Sequence, residues 1–233
     1  MEMLNFILAG TIEPGDFTGF TFFIGSVSML AATVWFLMQH GQVDKKFKDS
    51  MLVAALITGI AAVHYFYMRE QWTAGLGSPT ELRYIDWILT VPLMVVEFAL
   101  LTGVGMRKLF WLSVVMLVTG YFGEAGIGPF DAQIWGLISG IAYFAIVAEI
   151  FFGGASKLAA SAGGNVAYAH KLLCRFVLIG WAIYPIGYMA GTEGWYSGIF
   201  SGLAGQMDVI YNVGDAINKI GFGLVVYNLA VSK

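Results

Sequence analysis

The sequence predicts an all-α membrane protein, a bundle of seven transmembrane helices. Three observations lead there. Hydrophobic residues make up 58% of the 233 residues, charged ones only 12%, and mean hydropathy is +0.76, whereas soluble domains carry roughly a quarter charged residues. Apolar windows long enough to cross roughly 30 Å of hydrocarbon recur along the whole chain. The cations gather in alternate connections between those windows. Because the twelve Lys and Arg form no dense patch or stripe, no nucleic-acid partner is expected. No Gly/Ser-rich linker or repeat divides the chain, so residues 1–233 read as one membrane domain.

Residues 1–16 contain a short apolar run, Leu4 to Ala9, preceded by Glu2 and Met3 rather than a basic segment. They read as an external N-terminal segment, not as a signal peptide. The spans follow as Phe17–Met38, Ser50–Met68, Leu82–Leu101, Lys108–Phe122, Ala132–Phe152, Lys171–Ala190 and Gly205–Ser232. The fourth is short. Between the fifth and sixth, Gly153 to Gly164 is built of small residues and reads as flexible.

Lys45, Lys46, Lys48, Arg107, Lys108, Lys157, Lys171, Arg175 and Lys233 fall on one side, leaving only Arg69, Arg83 and Lys219 elsewhere. By the positive-inside rule that side is cytoplasmic, the N-terminus is outside and the C-terminus inside. Most acidic residues then lie on or near the outer face. The one cysteine, Cys174, excludes an internal disulfide and reads as a small apolar helix residue.

Lys219 sits in the middle of the seventh span, where a free ammonium costs at least a few kcal/mol. Asp215 is one helical turn away on the same face. Two readings follow: a structural ion pair, or a desolvated lysine whose amine carries a carbonyl cofactor. The third span adds Asp86, Thr90 and Glu97, which share one helix face at about 100° per residue. Glu97 lies roughly 16 Å further along the axis than Asp86, and Pro92 between them predicts a kink. Spans three and seven run in the same direction. A nitrogen on Lys219 therefore has Asp86 and Asp215 on its outer side and Glu97 on its inner side, the ingredients of a proton relay. Arg83, further out, is expected to stabilise the two repelling carboxylates.

The run Arg83-Tyr84-Ile85-Asp86-Trp87 through Thr90-Val91-Pro92 to Glu97 resembles microbial rhodopsins. So do Trp181-Ala182-Ile183-Tyr184-Pro185 and Asp215-Ala216-Ile217-Asn218-Lys219. Within that family the chain is most similar to the bacterial proteorhodopsins, and the resemblance covers all seven spans. It implies all-trans retinal on Lys219 as a protonated Schiff base, Asp86 as counterion and proton acceptor, Asp215 as second counterion, and Glu97 as cytoplasmic proton donor. The nitrogen must then hold its proton more tightly than Asp86 in the dark and less tightly after isomerisation. The expected activity is light-driven outward proton pumping in a bacterial inner membrane.

The same resemblance implies further roles. Chloride-pumping and sodium-pumping relatives carry other residues at the positions of Asp86, Thr90 and Glu97, and many sensory relatives lack a carboxylate at the last. A histidine at the position of His64 bonds to the acceptor in proteorhodopsins, so His64 is expected to modulate Asp86. Trp87, Trp181, Tyr184, Pro185 and Tyr188, with Met116, Gly120, Ser139, Gly140 and Tyr143, match the retinal box. Met94 matches the colour-tuning position, and an apolar residue there implies green absorption. Family members assemble as pentamers or hexamers, and no obligatory protein transducer is expected. The external glutamate pair of archaeal pumps has no match among Glu124, Asp131, Glu193 and Asp208, so the release route stays open.

Two alternatives remain at this point. A photosensory rhodopsin signalling through a membrane partner would give no light-induced acidification. A retinal-free ion-coupled carrier using Asp86, Glu97 and Lys219 would stay colourless when retinal is supplied. No phosphate loop or nucleophile constellation points to hydrolysis or group transfer, so a transporter rather than an enzyme is expected.

Overall fold

A computed structural model describes residues 14–232. Among these residues every regular element is helical. Helix α1 (Phe17–His40) begins at Asp16, whose side chain caps it by accepting from the Gly19 amide at 2.8 Å and is itself held by the Trp72 indole at 3.1 Å. A 3₁₀ turn at Lys45–Phe47 leads into α2 (Lys48–Thr73). Helix α3 (Thr80–Thr102) continues through Pro92 without interruption and stops at Gly103, whose φ of 77° is the left-handed conformation that glycine adopts freely. Then come α4 (Arg107–Glu124) and α5 (Ala132–Phe152).

Six helical segments are long and apolar enough to cross a membrane by length and composition. They contain α1, α2, α3, α5, the broken sixth span and α9 (Met207–Val231). The short fourth span is α4, whose 18 residues reach about 27 Å and carry Arg107, Lys108 and Glu124 at their ends. Successive helices pack as neighbours from α1 to α5, and α9 returns to pack on α1 and α2, closing the bundle.

Two segments depart from the sequence expectation. Gly153 to Gly164 is not a flexible connection: Gly154–Ala162 forms helix α6, with Ala155 and Ala159 buried and Glu149 accepting from the Gly154 amide at 3.0 Å. Alanine favours helix, and the glycines fall at its ends, where Gly163 (φ 65°) and Gly164 (φ 49°) make the turn. The sixth span starts earlier than Lys171 and is broken. It consists of α7 (Gly164–Leu178), a 3₁₀ turn at Gly180–Ala182 and α8 (Ile183–Gly191). Pro185 has no N–H to give the Trp181 carbonyl, which favours a break there. Neighbours supply the donors: Tyr143 Oη bonds the carbonyls of Val177 (2.9 Å) and Leu178 (3.0 Å), and Asn218 Nδ2 bonds that of Gly180 (2.9 Å).

The interior is marked by polarity rather than by apolarity, because lipid-facing surfaces are apolar too. Arg83, Asp86, Thr90, Glu97, Asn212, Asp215 and Lys219 are all buried among aromatic and aliphatic side chains. The N-terminal segment read in residues 1–16 lies almost wholly outside the described residues, as does Lys233.

Candidate functional site

Helices α3 and α9 meet at Lys219. Its Nζ donates to Asp86 Oδ2 on α3 at 2.6 Å and to Asp215 Oδ2 one turn back on α9. Asp215 is held from two more directions. Tyr65 on α2 donates to Oδ2 at 3.0 Å, and Tyr184 on α8 donates to Oδ1 at 2.7 Å. One ammonium between two buried carboxylates leaves an excess of negative charge, and the two phenols partly offset it by hydrogen bonding. Asp86 Oδ1 is buried with no hydrogen-bond partner, so this carboxylate has unused accepting capacity. Thr90 Oγ1 donates at 2.9 Å to the backbone carbonyl of Asp86, one turn away, and not to its carboxylate.

Beside this centre lies an apolar cavity of about 430 Å³. Trp87 and Val91 on α3, Met116 and Gly120 on α4, Ser139, Gly140 and Tyr143 on α5, and Trp181, Tyr184, Pro185 and Tyr188 of the sixth span line it. Ten of the residues expected around a chromophore thus line one space. Met94, buried on α3, does not line it. The rings interlock: Trp87 meets Tyr184 at 4.7 Å and Tyr211 at 5.4 Å, edge to face. Tyr184 joins cavity and ion centre, its ring in one and its hydroxyl in the other.

The chain matches the bacteriorhodopsin-like protein family over residues 16–233. It belongs to that family. It is 40% identical to a blue-light absorbing proteorhodopsin of Gamma-proteobacterium Hot 75m4 and 39% identical to a green-light absorbing proteorhodopsin of Gamma-proteobacterium EBAC31A08, each over 96% of this chain and 90% of the relative. Among solved structures, it superposes with a TM-score of 0.79 and 28% identity on xanthorhodopsin, described as a light-driven ion pump with dual chromophore, covering 91% of this chain and 92% of the other. Relatives of both colours stand equally near, so overall similarity does not select one.

Two of the rhodopsin site residues have partners other than those expected. Arg83 makes its ion pair with Asp208 (2.9 Å) and also donates to Asn212 Oδ1 (3.3 Å) and Ser78 Oγ (3.4 Å), rather than to Asp86 or Asp215. Its guanidinium lies 5.0 Å from the Tyr211 ring, and Lys219 already occupies the carboxylates. His64 Nδ1 is 3.9 Å from Asp86 Oδ1, beyond hydrogen-bond length, and 2.9 Å from the Ile60 carbonyl. The expected direct bond is thus replaced by proximity, because the backbone of its own helix takes the nitrogen. Glu97 stands apart from the Lys219 centre. It is buried, its Oε1 has no partner, and Ser50 on α2 is its polar neighbour.

Sequence reasoning missed Tyr65, Ser50 and Asn212, and read Asp208 only as an outer-face acid. Tyr65 follows His64 directly, and a 100° step along α2 turns it from the flank of Asp86 to Asp215. All four act across helices, where spacing along one helix carries no information. Cys174 behaves as expected, buried with its Sγ 3.6 Å from the Ile150 carbonyl.

Proposed function

We propose that this rhodopsin is a light-driven proton pump, with all-trans retinal joined to Lys219 as a protonated Schiff base. The observation that carries the reading is a buried lysine nitrogen shared by Asp86 and Asp215 and set beside an aromatic-walled cavity. The residues fit that cofactor. The volume lies within the roughly 300–1,000 Å³ of small-molecule sites, the walls include flat rings, and the buried Lys219 amine is beside it.

Bound retinal supplies light absorption and an isomerisation that changes the direction of the proton on nitrogen. The protein residues do the rest. A free amine donates to both carboxylates, but a nitrogen with a single proton donates to one, and Asp86 is the acceptor with an unpartnered oxygen. Asp215, fixed by Tyr65 and Tyr184, stays a carboxylate and holds the local charge. Glu97, remote and buried with one partnerless oxygen, returns a proton from the other end of α3. The Arg83–Asp208 pair closes the centre on the side away from Glu97.

The direction of transport rests on the cation bias, which puts the N-terminus outside, the C-terminus inside and Glu97 toward the cytoplasm. The setting proposed is a bacterial inner membrane, with a pentamer or hexamer as the working form and no obligatory transducer. Green absorption is proposed from the apolar Met94 at the position that matches the family's colour-tuning residue, not from its place in the structure, since it lies outside the cavity lining. The likeness to proteorhodopsins and to xanthorhodopsin, an ion pump by description, supports a pump over a sensor.

The test is light-induced pH change in cells supplied with all-trans retinal. Acidification abolished by a protonophore and by Lys219→Ala, and slowed by Glu97→Gln, is the expected result. A coloured protein with no pH signal would transfer the assignment to a sensor. A colourless one would end the retinal reading.

A further inference from the structure

We infer that the outward face of α7 binds an anionic phospholipid, whose phosphate is held by Lys171 and Arg175 in the leaflet on the Glu97 side. The inference does not depend on retinal. Helix α7 turns Ala169, His170, Leu173, Cys174 and Val177 into the bundle, where they are buried. Its opposite face carries Tyr168, Lys171, Arg175 and Leu178, with Ile179 just beyond, all exposed. At about 100° per residue these five fall within an arc of about 100°, so they form one stripe.

Depth makes this stripe unusual. Lys219 is the middle residue of α9, and its neighbour Asn218 bonds the Gly180 carbonyl, so Gly180 lies near the mid-plane of the bundle. Counting back at about 1.5 Å per residue, Arg175 is roughly 7 Å and Lys171 roughly 13 Å from that plane. Half of the hydrocarbon is about 15 Å thick. The Arg175 backbone therefore lies within it. Charged residues in a span almost always face the bundle interior and a partner, whereas Arg175 faces outward.

The chain offers these two cations no countercharge. None of the ion pairs among the described residues includes Lys171 or Arg175. Helices α6 and α7 contain no Asp or Glu, and α9 has none beyond Asp215. Glu149, near the end of α5, is taken by Lys108 and the Gly154 amide. The anion comes from outside the chain.

Its chemistry follows from the donors. The planar fork of Arg175 matches two phosphate oxygens, and Lys171, one turn nearer the boundary, adds a point charge. Tyr168, one turn further out, offers a hydroxyl. Arg175 reaches the phosphate by running its apolar stem along the helix towards the headgroups. Below it Leu178 and Ile179 give an acyl chain an apolar track, so a lipid fills the whole stripe and a free phosphate only its upper end. A zwitterionic headgroup suits the site less, because its own cation meets two more and no carboxylate.

The test counts bound lipid. Full-length protein in maltoside detergent is titrated with phosphatidylglycerol, phosphatidylcholine or inorganic phosphate, and adducts are resolved by native mass spectrometry. Arg175→Gln, Lys171→Gln and Arg175→Lys are compared with Lys45→Gln, an exposed cation in the turn between α1 and α2.

The wild-type protein is expected to bind its first phosphatidylglycerol about tenfold more tightly than phosphatidylcholine, the scale of one charge-assisted contact. Arg175→Gln and Lys171→Gln each remove most of that preference, Arg175→Lys falls between, and Lys45→Gln keeps it. A preference untouched by the α7 variants, or lowered equally by Lys45→Gln, overturns the site in favour of general attraction between cations and anionic lipid. Displacement of the lipid by inorganic phosphate overturns the lipid assignment. Loss of larger assemblies in Arg175→Gln with the lipid preference kept gives the face to a second copy of the chain, and also overturns it. If Arg175→Gln does not fold, Lys171→Gln and Arg175→Lys decide in the same way.

Discussion

Tyr65 donates to Asp215 Oδ2, the same oxygen that receives the Lys219 ammonium. A phenol on α2 therefore fixes the carboxylate on α9 against which the cation is balanced. Tyr65→Phe removes a hydrogen bond to a charged group, worth about 1.5–3 kcal/mol. Unfolding of the retinal-free protein in mixed micelles by added dodecyl sulfate should show a loss of that size. Tyr184→Phe should show a similar loss, and the double variant should deviate from additivity because both phenols serve one carboxylate. Strict additivity would mean that Asp215 does not couple them.

Removing the cation should cost more than removing a phenol. Lys219→Ala leaves Asp86 and Asp215 facing each other with no countercharge, and breaking a buried pair from one side costs about 3–5 kcal/mol. Combining Lys219→Ala with Asp215→Asn should restore part of that loss in the same unfolding measurement. A double variant less stable than Lys219→Ala would contradict the charge account.

Arg83 and Asp208 form one ion pair with unequal burial, Arg83 being 3% and Asp208 20% exposed at the side chain. Arg83→Gln strands a partly solvated carboxylate, whereas Asp208→Asn strands a buried guanidinium. Asp208→Asn should therefore be the more destabilising of the two, by about 1 kcal/mol or more. Matching stabilities of the two variants would show that Asn212 and Ser78 suffice for Arg83.

Asn218 supplies the donor for the Gly180 carbonyl at the break in the sixth span. Asn218→Leu leaves that carbonyl unsatisfied and should cost about 1–3 kcal/mol. Gly180→Ala should be worse, since its Cβ would collide with the Asn218 amide. Thermal unfolding of both variants checks this, and a neutral Gly180→Ala would show that α9 can shift.

Glu97→Gln keeps the shape of a side chain that has little hydrogen bonding to lose. Stability of the retinal-free protein should change by less than about 1 kcal/mol, while recovery of the light-driven cycle should slow. A large stability loss would identify Glu97 as a structural acid.

The parts of the site legible in the sequence are those that repeat along one helix. Asp215 and Lys219, four apart, and Asp86, Thr90 and Glu97 at intervals of four and seven follow from the helical period alone. The bundle was legible for a similar reason, since hydropathy reports span length directly. Tyr65, Ser50 and Asn212 were not legible, because their roles come from contacts between helices. Nor was the true partner of Arg83: Lys219 fills the carboxylates that charge counting had offered it. Helix α6 was misread because small residues suggest freedom until glycine and alanine are counted apart.

The interruption at Gly180–Ala182 has a mechanical meaning. Tyr143, which holds the last carbonyls of α7 just before it, and Asn218, which holds the Gly180 carbonyl within it, belong to α5 and α9 rather than to the sixth span itself. The span is thus two rods on a joint whose fastenings are anchored in the flanking posts. A sideways push on Trp181, which sits in the joint, acts where the rod has no continuous ladder of its own to resist it. Bending there rearranges a few borrowed contacts and leaves the hydrogen bonding within each rod whole.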